Sequence, residues 1–149
     1  MTSKLIAIGG GGFSMEPENP LLDLYCLNAT GKSKPKVCFL GTASGDSPDY
    51  IARFYAAFAN YDCKASHLAF FRKTSAGAVP LDEIATHLLS QDLIYVGGGN
   101  TRNMLAIWRE WQVDKVLKQA WEQGCVLAGV SAGAICWFEI GRASCRERV

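Results

Sequence analysis

The chain has 149 residues, of which 49% are hydrophobic and 19% are charged. This composition is typical of a folded globular domain and excludes disordered, collagen-like and fibrous chains. The 15 basic and 14 acidic residues leave a formal net charge of +1, so no global field attracts nucleic acid or an anionic membrane. The six cysteines lie mostly in apolar stretches without a CxxC pair. We therefore expect reduced thiols, a cytoplasmic location and no metal site.

Short apolar runs alternate along the chain with longer stretches of helical period, which predicts a parallel sheet covered by helices on both faces. The predicted strands are 4–8, 36–40, 66–71, 93–96 and 125–130. Each is almost continuously apolar, as expected of strands buried on both faces. The predicted helices are 48–61, with Ser47 as its cap, 81–90, 101–111 and 113–123. The pattern predicts one doubly wound α/β unit.

The α/β pattern stops near residue 140. Residues 132–138 read as the first two turns of a helix, and such a half-helix would leave the last strand uncovered on one face. Residues 141–149 have no apolar period, no cap and no following strand. We expect residues 1–140 to be the N-terminal portion of an α/β domain that is incomplete at its C-terminus, and residues 141–149 to be a non-native tail.

The strongest chemical signal is the pentapeptide GVSAG at 129–133, a GxSxG motif at a predicted strand-to-helix junction. In that context the serine occupies a strained turn that presents its hydroxyl at the sheet edge. The flanking glycines allow a close backbone approach that a β-carbon would block. We therefore expect Ser131 to be a nucleophile, with the Ala132 amide donating to the oxyanion that forms in acyl transfer.

A second glycine motif, GGGNT at 97–101, also follows a predicted strand and precedes a helix. Consecutive glycines let backbone N–H groups point into a site, so Gly98 and Gly99 are candidates for the second half of an oxyanion hole. Asn100 or Thr101 can cap the next helix, and both are candidate substrate contacts. Arg102 could pair with a substrate carboxylate, although a solvated arginine in the first turn of a helix is the alternative interpretation.

The first predicted strand is followed by four glycines at 9–12. Gly11 is either part of a tight turn beneath the site or a substrate contact. The segment does not predict nucleotide binding, because Ser14 stands where the third glycine of GxGxxG is required. His67 and His87 are the only histidines, and the pattern favours structural roles for both. Ser131 therefore has no obvious base in the sequence, although elbow hydrolases place the acid and the histidine after the nucleophile.

Three segments together, IAIGGGGF, YVGGGNT and LAGVSAGAICWFE, resemble the peptidase S51 family, which includes dipeptidase E (α-aspartyl dipeptidase) and is related to cyanophycinase. The resemblance covers residues 4–139. It implies a fold akin to class I glutamine amidotransferases, a flavodoxin-like three-layer sandwich, with a serine in place of the usual cysteine. It also implies a cytoplasmic serine exopeptidase that cleaves after an N-terminal aspartate in short peptides and needs no cofactor or metal.

Position by position, the resemblance implies that Ser131 is the nucleophile and that the Gly98 and Ala132 amides form the oxyanion hole. The histidine of the family, and its acidic partner, come after the nucleophile. Glu139 is the only nearby carboxylate that could serve as the acid. We therefore expect the parent protein to hydrolyse small peptides and a chain of this length to be impaired, because it lacks the histidine.

Two other functions stay open at this point. An α/β-hydrolase esterase shares the GxSxG motif, although that fold usually places its oxyanion glycines several elements upstream of the elbow. A non-catalytic amidotransferase-like module would keep the elbow as a small-molecule pocket. No pattern reports the oligomeric state, and a homodimer is left open.

Overall fold

A computed structural model describes residues 3–71 and 79–137 of the chain. The strands are β1 (Leu5–Ile8), β2 (Lys36–Leu40), β3 (Lys64–Leu68), β4 (Leu93–Val96) and β5 (Val126–Val130). The helices are α1 (Leu21–Ala29), α2 (Pro48–Phe58), α3 (Ile84–Leu89), α4 (Thr101–Glu110) and α5 (Val113–Glu122), with 3-10 turns at Thr42–Ser44 and Leu81–Glu83. Residues 132–137 are also helical. The predicted mostly parallel α/β fold is confirmed.

The five strands form one sheet in the order β1-β5-β4-β2-β3, and every pairing is parallel. The chain moves in one direction across the sheet from β1 to β3 and then reverses towards β5. Because such crossovers are right-handed, the reversal sends the later helices to the opposite face. Helices α1 and α2 cover one face, and α3, α4, α5 and residues 132–137 cover the other.

Each central strand contributes to two separate hydrophobic cores, because successive side chains of a strand point to opposite faces. In β4, Leu93 and Tyr95 pack with α1 and α2, whereas Ile94 and Val96 pack with α3, α4 and α5. All four side chains are fully buried. The near-continuous apolar sequence of this strand is therefore explained by burial on both faces.

In two pairs of neighbouring strands, one strand is followed by a helix on one face and its neighbour by a helix on the other face. These pairs are β1 with β5 and β2 with β4, as the order of strands and the two helical layers require. Crevices at the carboxyl edge of such a sheet are where ligands bind in open α/β folds. The fold thus brings the segments after β1, β5 and β4 side by side at one edge.

The predicted helices are confirmed to within a few residues, and two caps are those expected. Ser47 Oγ accepts the Tyr50 N–H at 3.4 Å at the start of α2, and Asn100 Oδ1 accepts the Asn103 N–H at 2.9 Å at the start of α4. Helix α1 was not among the predicted helices. Its apolar residues do not share one face, since Leu21 is exposed. Its N-cap residue, Pro20, offers no side-chain acceptor, and Asn19 Oδ1 accepts the Leu21 N–H at 3.1 Å instead.

The third strand is shifted from its predicted position. It was expected at 66–71, but it begins at Lys64 and ends at Leu68. Beyond Leu68 the backbone leaves the sheet, because the Phe70 and Phe71 amides donate to the Asp46 carboxylate at 2.6 and 2.7 Å instead of to a neighbouring strand. The polar start of β3 is tolerated since this strand lies at an edge of the sheet.

The expectation that all strands are buried on both faces is wrong for β1. This strand forms the other edge of the described sheet, and Leu5 is 41% exposed. The expectation that the last strand is left uncovered is also wrong. Strand β5 lies between β1 and β4, and its five residues are all buried.

None of the helices in the described part of the chain has the length and apolar character that a membrane crossing requires. The five described cysteines form no disulfide. The proposed tail at 141–149 and Glu139 both lie outside the described residues.

Candidate active site

Ser131 occupies the turn between β5 and the helix at 132–137. Its φ of +57° lies in the left-handed region, which residues other than glycine adopt rarely and at an energetic cost. The Ser131 N–H donates to the Ile8 carbonyl at 2.9 Å, and the Ser131 carbonyl accepts the Ala134 and Ile135 amides at 2.9 and 3.0 Å. The residue is exposed. This geometry, a strained serine fixed by backbone bonds at the end of a strand, is that of a nucleophile elbow.

The two glycines of the GxSxG motif are required by close packing around Ser131. A β-carbon on Gly129 would overlap the Gly133 carbonyl, and one on Gly133 would overlap the Val96 carbonyl. Both obstacles are backbone atoms, which cannot move aside as a side chain can. The sharp turn therefore needs glycine at both positions.

The parallel register brings the two other glycine segments to Ser131. Ile8 pairs with Val130, and Val96 pairs with Gly129. Continuing each ladder past its strand places Gly9 and Gly98 on either side of Ser131. A β-carbon on Gly98 would lie 3.4 Å from Ser131 Cβ and 3.9 Å from Ser131 Oγ. The GGGNT and GxSxG motifs therefore meet at the carboxyl edge, as their positions after strands predict.

Three of the four backbone amides at 97–100 are already hydrogen-bonded. The bonds are Gly97 N–H to the Leu40 carbonyl (3.1 Å), Gly98 N–H to Tyr50 Oη (3.1 Å) and Asn100 N–H to the Ala43 carbonyl (2.7 Å). The Gly99 and Ala132 amides have no hydrogen-bond partner among the described residues. These two N–H groups are thus the ones that no described protein group already occupies. Tyr50 gave no signal in the sequence, because it falls on the buried face of an ordinary amphipathic helix.

The remaining predicted contacts around GGGNT have different surroundings. The Asn100 side chain is used to cap α4, and Thr101 is the partly buried first residue of that helix. Arg102 is exposed, and no ion pair of this residue is found within the described ranges. Arg102 is thus placed in the first turn of α4, three residues after Gly99, without an orienting ion pair among the described residues.

The first glycine loop turns inward. Gly11, with a φ of +105°, is buried, and a β-carbon there would lie 2.8 Å from Leu22 Cδ1. This placement favours the tight-turn interpretation of Gly11. Gly9 and Gly10 are the exposed members of the loop.

Beneath this loop lies a buried carboxyl that the sequence did not reveal. A β-carbon on Gly12 would lie 2.6 Å from Tyr95 Oη and 3.3 Å from Asp23 Oδ1, so both side chains reach the loop backbone. Asp23 is only 1% exposed. Burial raises the pKa of Asp23 to about 6, and the Tyr95 hydroxyl and the Phe13 backbone oppose part of this rise. Burial also raises the pKa of Tyr95 well above its usual value.

Both histidines lie near the edge strand β3, away from β5 and Ser131. His67 belongs to β3 and its Nδ1 is 2.6 Å from Tyr55 Oη, while Nε2 of His87 is 2.8 Å from Ser66 Oγ. Burial lowers the pKa of both side chains. Two strands, β4 and β2, separate β3 from β5. Neither histidine can therefore serve as a base for Ser131, and their predicted structural roles fit these contacts. Within residues 3–71 and 79–137, no group of three or more His, Cys, Asp or Glu side chains could hold a metal ion.

Sequence comparison relates almost the whole chain to one family. The family model described as Peptidase family S51 matches residues 5–147. The uncharacterized peptidase YgaJ of Bacillus subtilis (strain 168) is 54% identical over 138 residues, which are 93% of this chain and 57% of that protein. The chain thus spans a little more than half the length of this curated relative.

Two solved structures share the fold. One is the crystal structure of a putative peptidase E protein from Listeria monocytogenes EGD-e, with a TM-score of 0.66 and 24% identity over 89% of this chain and 60% of that one. The other is a peptidase from an acI-B1 Actinobacterium, with a TM-score of 0.70 and 19% identity over 87% of this chain and 54% of that one. At these identities the likeness concerns the fold, whereas the family match concerns the sequence itself. The chain belongs to peptidase family S51.

Proposed function

We propose that the chain is part of a serine peptidase in which Ser131 attacks the carbonyl carbon of a short peptide. The observation that carries this proposal is the Ser131 turn, an exposed serine at a φ of +57° that only the two flanking glycines allow. Backbone strain of this kind persists only where the surrounding structure enforces it, and it concentrates at active sites. Membership of a peptidase family supports the same chemistry.

In the proposed reaction, Ser131 Oγ bonds to the substrate carbonyl carbon and the carbonyl electron pair moves to oxygen. The amide donors for this oxyanion come from Ala132, the residue after Ser131, and from the Gly98–Gly99 segment, whose Gly98 lies beside Ser131. Collapse of the intermediate breaks the C–N bond, and the amine leaves with a proton. Water then hydrolyses the acyl-serine ester and regenerates the Ser131 hydroxyl.

A general base must take the Ser131 proton, and neither His67 nor His87 is placed to do so. We propose that the base is a histidine following Ser131 in chain order, with Glu139 as a candidate acid. A chain that lacks this base should be slower by roughly 10²–10⁴-fold, the usual contribution of general base catalysis.

The proposed substrates are peptides of a few residues with aspartate at the N-terminus, hydrolysed in the cytoplasm. The resemblance of the glycine and GVSAGA motifs to dipeptidase E supports this preference. Arg102, exposed in the first turn of α4 three residues after Gly99, is a candidate partner for the aspartate carboxylate.

The nucleophile is tested by fluorophosphonate labelling read by intact-protein mass spectrometry. In a version continued with the native C-terminal sequence, the protein should gain one adduct and Ser131→Ala none, whereas the control Ser90→Ala, near the amino end of β4, should label like the parent. Hydrolysis of Asp-Xaa and Asn-Xaa dipeptides should then be compared between this chain and a version continued with its native C-terminal sequence. Equal labelling of Ser131→Ala would contradict the nucleophile, and equal rates for the two lengths would contradict the missing base.

A further inference from the structure

The Tyr50 side chain lies between two of the loops that surround Ser131. Tyr50 is in the first turn of α2 and is 8% exposed. Its ring centroid is 5.7 Å from that of Phe13, which follows the first glycine loop, and 5.1 Å from that of Phe39 in β2. A β-carbon on Gly97 would lie 2.9 Å from Tyr50 Cζ and Oη. The ring thus fills the space that a side chain at position 97 would otherwise occupy.

The Tyr50 hydroxyl is the polar end of this otherwise apolar contact. Its oxygen accepts the Gly98 N–H at 3.1 Å. Three consecutive glycines have unusual backbone freedom, so the loop needs outside contacts to hold one conformation. Backbone bonds from Gly97 and Asn100 fix its two ends, and the bond to Tyr50 fixes its middle.

Gly98 is also the loop residue that contacts Ser131, since a β-carbon there would lie 3.4 Å from Ser131 Cβ. One residue further on, Gly99 is exposed and its amide has no partner in the described part of the chain. The bond to Tyr50 therefore has two effects. It orients the peptide unit beside Ser131. It also leaves the Gly99 N–H as the amide of the loop without a hydrogen-bond partner among the described residues.

We propose that Tyr50 is a positioning residue, whose hydroxyl holds the Gly98 amide so that the Gly99 N–H is presented to the substrate oxyanion beside Ser131. The proposal rests on the proposed function, because the oxyanion exists only if Ser131 attacks a carbonyl. It adds a residue of α2, on the opposite face of the sheet from the helix at 132–137, and it assigns Gly99, not Gly98, as the donor from this loop.

Removing the hydroxyl frees the 97–98 peptide unit to rotate and misaligns the oxyanion donor. Small misplacements at a reacting centre lower rates by up to about 100-fold. A donor that acts in the transition state affects kcat more than KM. We expect Tyr50→Phe, which keeps the ring and its packing, to lower kcat about tenfold and to change KM by less than about twofold.

The matched control is Tyr55→Phe, on the same helix. It removes a hydroxyl that contacts His67 and not the glycine loop. Dipeptide hydrolysis by the full-length protein gives kcat and KM, and hydrogen exchange followed by NMR gives the protection of the Gly98 amide. In Tyr50→Phe we expect this amide to exchange about tenfold faster or more, since it loses its acceptor. Tyr55→Phe should leave both measurements within about twofold of the wild type.

A Tyr50→Phe protein with wild-type kcat, or with an equally protected Gly98 amide, would overturn the proposal. A failure of the proposed function looks different. If Ser131→Ala keeps full hydrolysis, Ser131 is not the nucleophile and the catalytic half of the proposal falls with it. Faster hydrogen exchange of the Gly98 amide in Tyr50→Phe would then still support the structural half of the proposal, in which the Tyr50 hydroxyl fixes the loop.

Discussion

Asp23 shows how burial sets the chemistry of a single side chain. It sits in α1 beneath the first glycine loop, and its pKa is raised from 3.8 to about 6 by loss of hydration. The folded state therefore binds the Asp23 proton more tightly than the unfolded state does. Its contribution to stability is fully present below about pH 4 and is lost as the pH rises through about 6. Between these limits the charge becomes a growing cost to the folded protein.

Replacing Asp23 by asparagine removes this cost while keeping the shape of the side chain. We expect Asp23→Asn and the wild type to have similar unfolding free energies near pH 4. At pH 8 the variant should be more stable by on the order of 2 kcal/mol. Urea unfolding across this range measures the difference, and Asp62→Asn, which removes an exposed carboxylate, is the control. A constant difference between wild type and Asp23→Asn from pH 4 to pH 8 would show that the carboxyl is not destabilised by burial.

Residues of the candidate site were predictable where their type is dictated by local backbone geometry. Gly129, Ser131 and Gly133 form a motif whose spacing follows from one sharp turn, so the sequence alone indicates it. Asp23 and Tyr50 carry no such local signal. Each reaches the site edge from a helix through a long-range contact, with Tyr95 and Gly98 respectively, and only the assembled fold brings these groups together.

At the scale of elements, the helix after β5 begins against the end of β4, and Gly133 makes this approach possible. A β-carbon on Gly133 would overlap the Val96 carbonyl. We expect Gly133→Ala to lower the unfolding free energy by about 2 kcal/mol or more, because a backbone clash must be relieved by moving the whole helix start. Urea unfolding of the variant beside the wild type measures the loss.

The control for Gly133 is Gly9→Ala, since a β-carbon on Gly9 meets no atom within 4 Å. This variant should stay within about 0.5 kcal/mol of the wild type. If the two variants were equally stable, the helix start would have to lie further from β4 than it does.

Elements were predictable from sequence where apolar periodicity and caps agree. Helices α2 and α4 have both an amphipathic face and a capping side chain, Ser47 or Asn100. Helix α1 has no single apolar face and has proline at its N-cap position, so neither signal marks its bounds. Strand β3 was misplaced because its last predicted residues, including Phe70, are apolar but bond to a carboxylate instead of to the sheet. Side-chain acceptors of this kind have no sequence period.

At the scale of the whole molecule, the order of strands decides which groups can act on Ser131. The alternation of strands and helices predicts a parallel sheet, but not which strands become neighbours. The insertion of β5 between β1 and β4 is what places three loops around one serine. In the same order of strands β5 is buried, β1 lies at an edge, and both histidines lie near β3, two strands away from β5.

The distance of the histidines from Ser131 gives a direct test of this arrangement. We expect His67→Gln and His87→Gln to change the rate of fluorophosphonate labelling at Ser131 by less than about twofold, because two strands lie between β3 and the serine. Loss of the Tyr55 contact should instead lower the stability of His67→Gln by about 1 kcal/mol. A catalytic base would behave in the opposite way, since its removal lowers reactivity by roughly 10²–10⁴-fold. Such a fall in labelling by a folded His67 or His87 variant would mean that the order of strands does not keep that histidine away from Ser131.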